Sequence, residues 1–420
     1  MEFIILGLGR GCTRLAKSNL ICSLDIGTTN TRAIVGEFDR DGIMNIIGIG
    51  QSKSTGLKKG IVIDIEATVR GIADAVSQAE RMIGEEISSV YVAIGGPQTA
   101  LLSNKGIVAV QGEQREVTNT DVDRVLSAAQ VLAIPPEREV INVSPLSYIL
   151  DGYDGIKDPV GMIGVRLEAD VLIITGKATY LQNIRRCIER AGLEINGLIF
   201  KGLSTPSMAL SPDERELGCA LVDIGGGVSE VSIYKHDTLL NFTSIPQGGD
   251  LITQDLAHGL RVSITQAEQI KLLYGAATYE SAGNNVIKVD TVGALESSTV
   301  EAVELVNYIQ PRVEEIFDCI RNELIKAGFD KPPGGGVVLT GGSCQLPGLT
   351  EIASQKLGTN VRIYRPRQIG VTDPSFTAST AVLHFISRIN PALLQKQARS
   401  GRQSSRFRDR IRSLFAEFFG

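Results

Sequence analysis

Tryptophan is absent from the chain and aromatic residues make up only 5 % of it. No apolar run approaches the roughly eighteen residues that a membrane-spanning helix requires, so nothing in the sequence reads as crossing a bilayer. The 6 cysteines (Cys12, Cys22, Cys187, Cys219, Cys319, Cys344) are scattered without C-x-x-C spacing. That excludes a disulfide frame and a zinc site, and they read as buried small residues in a reducing compartment. The apolar stretch Phe3 to Leu8 follows Glu2 and lacks a small-residue cleavage site, so it does not read as a secretory signal. Gly7-Leu8-Gly9-Arg10-Gly11 has the look of a dinucleotide fingerprint, but no adequate strand precedes it and no helical pattern follows. Residues 1–18 are expected to be an extension outside the fold.

What the chain does have is glycine, 45 residues of it in 420. That points to an α/β chain with many tight turns rather than a coiled coil or a disordered segment. The length calls for two major lobes or more. The net charge of −5 is unevenly placed: from Arg388 to Gly420 there are eight basic and two acidic residues, which leaves about −11 for the body. An anionic surface is the expected partner of that basic end. Nucleic acid is not expected as a partner.

Two similar turns carry the chemistry. Asp25-Ile26-Gly27-Thr28-Thr29 and Asp223-Ile224-Gly225-Gly226-Gly227 each follow one β-type run and precede another. A carboxylate ending a strand, followed by Gly and hydroxyl residues, aims backbone N–H groups and hydroxyls into one concavity that suits a phosphate chain. Asp and Gly are also ordinary hairpin residues, so one copy alone would say little. Two copies facing each other can clamp a triphosphate, with a hydrated Mg²⁺ between the phosphates and the carboxylates of Asp25 and Asp223. A third Gly-rich turn, Gly341-Gly342-Ser343, again follows an apolar strand.

Short β runs are expected at Ile21 to Leu24, Thr31 to Phe38 and Met44 to Ser52. Apolar residues at helical spacing predict a helix over Ile65 to Ile83. From Ser88 to Arg166 the texture changes to that of a small inserted α+β module, after which Asp170 to Thr175 is expected to resume the main sheet. The second half repeats the first in outline, with strands at Cys219 to Asp223, Glu230 to Tyr234 and Thr238 to Ile245, so a tandem of related lobes is expected. Thr265 to Tyr274 and Val300 to Ala327 are expected to be helical, around a Gly- and Ser-rich stretch.

Asp25 to Arg32, Val222 to Tyr234 and Val338 to Leu349 resemble the phosphate and adenosine motifs of the actin and heat-shock-chaperone ATPase superfamily. Leu203 to Leu210 and Phe376 to Phe385, both rich in Ala, Ser and Thr, resemble its connecting helices. Within that superfamily the chain is similar to the FtsA family of bacterial cell-division proteins from about residue 19 onward, notably at Ile87 to Ala93, Gly155 to Gly161 and Asp213 to Gly218. The resemblance implies an actin-like two-lobed ATPase fold with an inserted α+β subdomain, 1C or SHS2-type. The implied division is subdomain 1A at 19–86 with 167–202 and 372–390, 1C at 87–166, 2A at 203–259 with 334–371, 2B at 260–333, a linker at 391–405 and a terminal helix at 406–420.

The resemblance also implies roles. Gly27, Thr28 and Thr29 would touch phosphates from one side and Gly225, Gly226 and Gly227 from the other, while Asp25 and Asp223 reach Mg²⁺ through water. Gly341, Gly342 and Ser343 would line the adenine pocket, with Glu268 and Lys271 beside ribose and base; an ordinary solvated helix pair is the alternative for those two. Two departures stand out. Val228-Ser229-Glu230 follows the second loop where relatives have Thr and then Asp, and Lys201-Gly202-Leu203 stands where superfamily members such as actin place a water-orienting Glu or Gln. Loss of such a group costs roughly 10² to 10⁴ in rate, so tight ATP binding with slow hydrolysis is expected.

At the end of the chain Phe407, Ile411, Leu414, Phe415, Phe418 and Phe419 form one helical stripe with Arg406, Arg408, Arg410 and Arg412 on its shoulders. Residues 399–405 read as a flexible tether before it. A stripe is often a partner-binding face, but the tether and the arginines fit an interfacial membrane helix, and the FtsA family ends in one. The family's role then implies a peripheral protein on the cytoplasmic face of the inner membrane at the division septum. It would polymerise, hold the tail of the tubulin-like protein FtsZ through its second subdomain with Arg312 as a contact, and receive later division proteins on 1C. A sugar or acetate kinase of the superfamily and a pilus-assembly scaffold of the PilM type are the competing readings.

Overall fold

Two five-stranded sheets of one topology form the frame of the molecule in the computed structural model, which describes residues 4–5, 20–38, 44–130, 134–293, 296–329 and 331–389. In the first lobe the order is Glu194–Phe200, Ser89–Ile94, Leu20–Ile26, Asn30–Phe38, Met44–Lys53. In the second it is Val361–Ile363, Val337–Thr340, Cys219–Ile224, Ser229–Lys235, Thr238–Ile245. Each is an antiparallel three-strand meander extended by two parallel strands. The expected tandem of lobes is therefore present.

The helix Ile65–Ile83 covers the first sheet, and its sequence sets both ends. Asp64 accepts the Ala67 N–H as N-cap and Gly84 ends the helix in the left-handed region. Ile72, Ala75, Val76, Ala79 and Ile83 line its buried face. In the second lobe the strand Cys219–Ile224 is apolar on both faces. Cys219 and Leu221 belong to the core shared with the first lobe, while Ala220, Val222 and Ile224 pack into the second lobe's own core. The period-2 alternation of side chains across a strand makes that division possible. Two helices with small buried residues, Lys201–Ala209 and Thr377–Ile389, pack together. Phe200, just before the first of them, meets Phe242 of the second lobe edge to face, with ring centroids 4.6 Å apart.

The inserted module begins and ends later than the sequence suggests. Ser89–Ile94 runs parallel to Leu20–Ile26 inside the first lobe's sheet. Arg166–Lys177, expected to resume that sheet, instead lies between Thr99–Ala109 and Arg138–Leu150 in the module's own sheet. Both runs are apolar and β-branched, and such runs look alike whichever sheet they join. The helix Asn119–Gln130 covers that sheet over a third core of Val125, Leu126, Leu167 and Val171. Ile4–Ile5, expected to lie outside the fold, pair with the module's edge at Asn142 and Val143, because an edge strand offers free N–H and C=O groups.

In the second lobe the helix Val306–Lys326 starts later than expected, after a strand Ser298–Glu301 that pairs with Val286–Val289. Cys22, Cys187, Cys219, Cys319 and Cys344 are free thiols, all but Cys319 buried. Among the described residues no helix is long and apolar enough to cross a membrane. The linker and the amphipathic stripe, with Arg406, Phe407, Arg410, Ile411, Leu414, Phe415, Phe418 and Phe419, lie outside the described residues.

Phe200 is 1 % exposed, and its ring joins the lobes. Phe200→Ala is expected to cost about 3 to 5 kcal/mol. Urea denaturation followed by circular dichroism checks this; a midpoint equal to that of the unaltered chain contradicts it.

Candidate functional site

The first two glycine loops close in the same way. Gly27 N–H donates to Asn30 O at 3.1 Å, and Gly225 N–H donates to Val228 O at 2.9 Å. They also face each other across the cleft. Thr29 Oγ1 donates to Asp250 Oδ1 at 3.3 Å, beside Gly226. A Cβ on Gly226 would overlap Thr29, and one on Gly227 would lie 2.7 Å from Thr28 Cγ2. Only glycine fits at these two positions of the second loop, because the Thr28 and Thr29 side chains of the first loop press against them. The helix Gly249–Leu260 begins at the same point, its first N–H groups donating to Gly225 O and Gly226 O.

The third loop locks onto the second. Gly341 has φ +92, and a side chain there would strike Asp223 Oδ1, so glycine is required on two counts. Ser343 Oγ donates to Gly225 O at 2.9 Å. Lys271 Nζ donates to Gly249 O at 3.1 Å and to Thr253 Oγ1 at 2.7 Å, and it pairs with Glu268 at 2.7 Å. Thr253 also donates to Glu268. Glu268 and Lys271 are thus fixed beside the loops, not spread on a solvated helix face. Arg312, by contrast, is engaged on the helix Val306–Lys326, where it holds Asp255 at 2.7 and 3.2 Å and Glu315.

Beneath the loops lies a group of charges that the spacing in the sequence does not bring together. Asp25 stands directly across from Arg32 in the first lobe's meander, and Asp223 directly across from Glu230 in the second. Lys201 Nζ pairs with Glu230 at 2.6 Å, with the two side chains 17 % and 5 % exposed. Burial works against the ammonium, but Glu230, Asp25 and Asp223 more than offset it and hold Lys201 protonated above the ordinary lysine range. Burial pushes the Asp223 carboxyl up to about 6; Glu230 and Asp25 add to this, and Lys201 and Arg32 oppose it. Burial lowers the Arg32 guanidinium from its usual value against the pull of Asp25, Asp373 and Asp223, and Arg32 lies 5.1 Å from the Phe376 ring centre. Ser229 Oγ donates to Gln247 O at 2.8 Å, so the hydroxyl after the second loop points away from the cleft.

Chemically the arrangement brings three glycine turns with their hydroxyl side chains to one place, above the carboxylates of Asp25, Asp223 and Glu230 and the cations of Lys201 and Arg32. Sequence reasoning passed over Asp250, Thr253 and the Arg32 contribution, and treated Lys201 and Glu230 as separate departures. The opposite charges of the last two were the available signal.

Comparison with known proteins settles the family. The family models described as cell division protein FtsA and as the SHS2 domain inserted in FTSA match residues 220–381 and 96–175. Cell division protein FtsA of Bacillus subtilis (strain 168) is 42 % identical over 372 residues, which span 88 % of this chain and 84 % of that protein. The chain belongs to the FtsA family of cell division proteins. FtsA of Escherichia coli (strain K12) is 36 % identical over 379 residues, 87 % of this chain and 90 % of that one. Among solved structures, a PilM–PilN type IV pilus biogenesis complex matches with TM-score 0.61 at 15 % identity over 87 % of this chain and 98 % of that one. MreB5 of Spiroplasma citri bound to ADP matches with TM-score 0.51 at 13 % identity, over 88 % and 96 %. These likenesses establish the actin-like fold of this FtsA family member, and the matched SHS2 range agrees with the module boundaries set by strand pairing.

Lys201→Met leaves Glu230 buried without its cation, which costs about 3 to 5 kcal/mol, whereas replacing both partners by apolar residues is close to neutral. The urea midpoint is therefore expected to fall for Lys201→Met and to recover most of the way in Lys201→Met/Glu230→Leu. A double variant as unstable as the single one contradicts the pairing.

Proposed function

We propose that this FtsA family member is an ATP-binding, actin-like scaffold that assembles on the inner membrane and anchors the FtsZ ring there. The observation that carries the nucleotide part is the convergence of three glycine loops, packed so closely that only glycine fits at Gly226, Gly227 and Gly341. Gly27, Thr28 and Thr29 would hold phosphates against Gly225, Gly226 and Gly227. Gly341, Gly342 and Ser343, with Glu268 and Lys271, would hold the adenosine. Asp25 and Asp223 fit a hydrated Mg²⁺, since they are cleft carboxylates and burial makes a bare charge on Asp223 unfavourable. The ion's contribution would be to neutralise phosphate charge. The structural neighbours described as MreB5 bound to ADP and MreB5 bound to AMPPNP share this fold.

Hydrolysis on this reading is slow. The head of the first connecting helix presents an ammonium committed to Glu230, which cannot accept a proton from water. Assembly is supported by exposed apolar side chains on the helix Ile264–Tyr274, where Leu272 and Leu273 are 73 % and 72 % exposed, and by a fold neighbour described as a MamK double helical filament. Membrane attachment rests on the terminal stripe. Each large apolar side chain partly buried in lipid contributes roughly 1 to 2 kcal/mol, and each basic residue near anionic headgroups about 1. Ordering each residue costs roughly 1 kcal/mol or more, so a single tail binds reversibly and tails held together in an assembly bind by avidity. Arg312 remains the proposed FtsZ-tail contact, now held between Asp255 and Glu315, and the module remains the proposed platform for later division proteins.

Co-sedimentation with anionic liposomes tests the whole reading. The full chain is expected to pellet with liposomes and Mg-ATP and to recruit an FtsZ C-terminal peptide. Deletion of residues 406–420 is expected to abolish pelleting. Gly226→Ala, whose methyl would overlap Thr29, is expected to weaken ATP binding 10-fold or more, about 1.4 kcal/mol, and pelleting with it. Pelleting by the deleted chain would remove the tail from the account, and pelleting indifferent to ATP would remove nucleotide control of assembly from it.

A further inference from the structure

Glu230 belongs to the second lobe, yet both groups that its carboxylate holds belong to the first. Oε2 takes the Lys201 ammonium, which stands where the strand Glu194–Phe200 turns into the first connecting helix. Oε1 accepts the N–H of Gly96. Gly96 lies just past the strand Ser89–Ile94, where the chain leaves the first lobe for the inserted module. Those two strands are parallel neighbours, so Lys201 and Gly96 form one socket and Glu230 is the finger that enters it. Gly95 shapes the socket: a Cβ there would overlap Glu230 Oε1 and lie 2.6 Å from Lys201 Cε. Tyr180, from the helix that follows the module, donates its hydroxyl to Gly95 O at 3.2 Å, so the module's entry and its exit meet at this dipeptide.

We infer that the Lys201–Glu230–Gly96 bridge is a coupling device that ties closure of the cleft between the lobes to the setting of the inserted module. The inference rests on the ATP-binding reading of the cleft. Lys201 is bonded to Glu230 and also feels the pull of the two cleft aspartates, so its charge belongs to both lobes. When the second lobe moves on the first, Glu230 must either carry the Gly96 amide with it or release it. Gly96, at φ +83, sits in a backbone region open to glycine, at the entry to the module. Lys201 and Glu230 are positioning residues here, acting on the module through the Gly95–Gly96 backbone and not on a ligand.

Hydrogen–deuterium exchange of the full chain, with and without saturating Mg-ATP, tests this. In the unaltered chain ATP is expected to slow exchange both at residues 225–227 and at residues 95–100, by about tenfold at the latter. In Gly95→Ala, which keeps every charge and wedges a methyl into the socket, residues 225–227 are expected to respond as before while residues 95–100 no longer do. An undiminished response at 95–100 in Gly95→Ala overturns the coupling, as does an unaltered chain that binds ATP without any response there. A chain whose residues 225–227 are themselves indifferent to ATP overturns the nucleotide reading, and this inference with it.

Discussion

Three carboxylates and two cations share the floor of one cleft, and the arrangement of the rest depends on keeping that floor close to neutral. Asp25, Asp223 and Glu230 could not lie this near one another on charge grounds alone, because like charges out of water repel strongly. Lys201 and Arg32 supply the balance, one from the head of a connecting helix and one from the strand after the first loop. The sum still leaves one negative charge in excess, and it adds to the burial that lifts Asp223 to about 6. A cleft floor of this kind favours a further cation.

The duplicated sheets explain where these charges come from. Asp25 and Asp223 occupy equivalent places at the ends of equivalent strands, and each has one residue across from it in the next strand. In the first lobe that residue is Arg32, whose charge attracts the aspartate while its Nε bonds Gln51. In the second it is Glu230, which worsens the problem and draws a lysine from the opposite lobe to solve it. Symmetry in the backbone with asymmetry at this one pair turns two similar halves into a joint. Phe200 and Phe242 reinforce it on the apolar side of the same boundary.

Much of this was legible in the sequence, and the parts that were not share a physical reason. The loops could be read because Asp-Gly turns between strands are a local signal, and the helix Ile65–Ile83 because its apolar period and both of its ends are local too. The two boundaries of the module were misplaced because Ser89–Ile94 and Arg166–Lys177 are buried β runs, and burial alone does not say in which sheet. Glu268 and Lys271 took their place beside ribose and base from the family resemblance, because helical spacing alone does not show that Thr253 and Gly249 stand next to them. Lys201 and Glu230 were each visible as a departure, but their compensation required the fold to place two lobes face to face. Local patterns yield elements and loops; pairing across lobes needs tertiary structure.

The energies involved fit a joint that moves. Breaking a buried, hydrogen-bonded ion pair by removing one partner costs about 3 to 5 kcal/mol, while shifting a two-state equilibrium from one extreme to the other takes about 5.5 kcal/mol of differential ligand affinity. The bridge is thus strong enough to define a closed state and weak enough for a ligand to govern. A bond of the same size to a rigid element would merely stabilise the lobe interface. Here its second acceptor oxygen holds the amide of a glycine at the root of a separate subdomain with its own core. On the inferred coupling, whatever closes the cleft does work on the module's base through a single carboxylate.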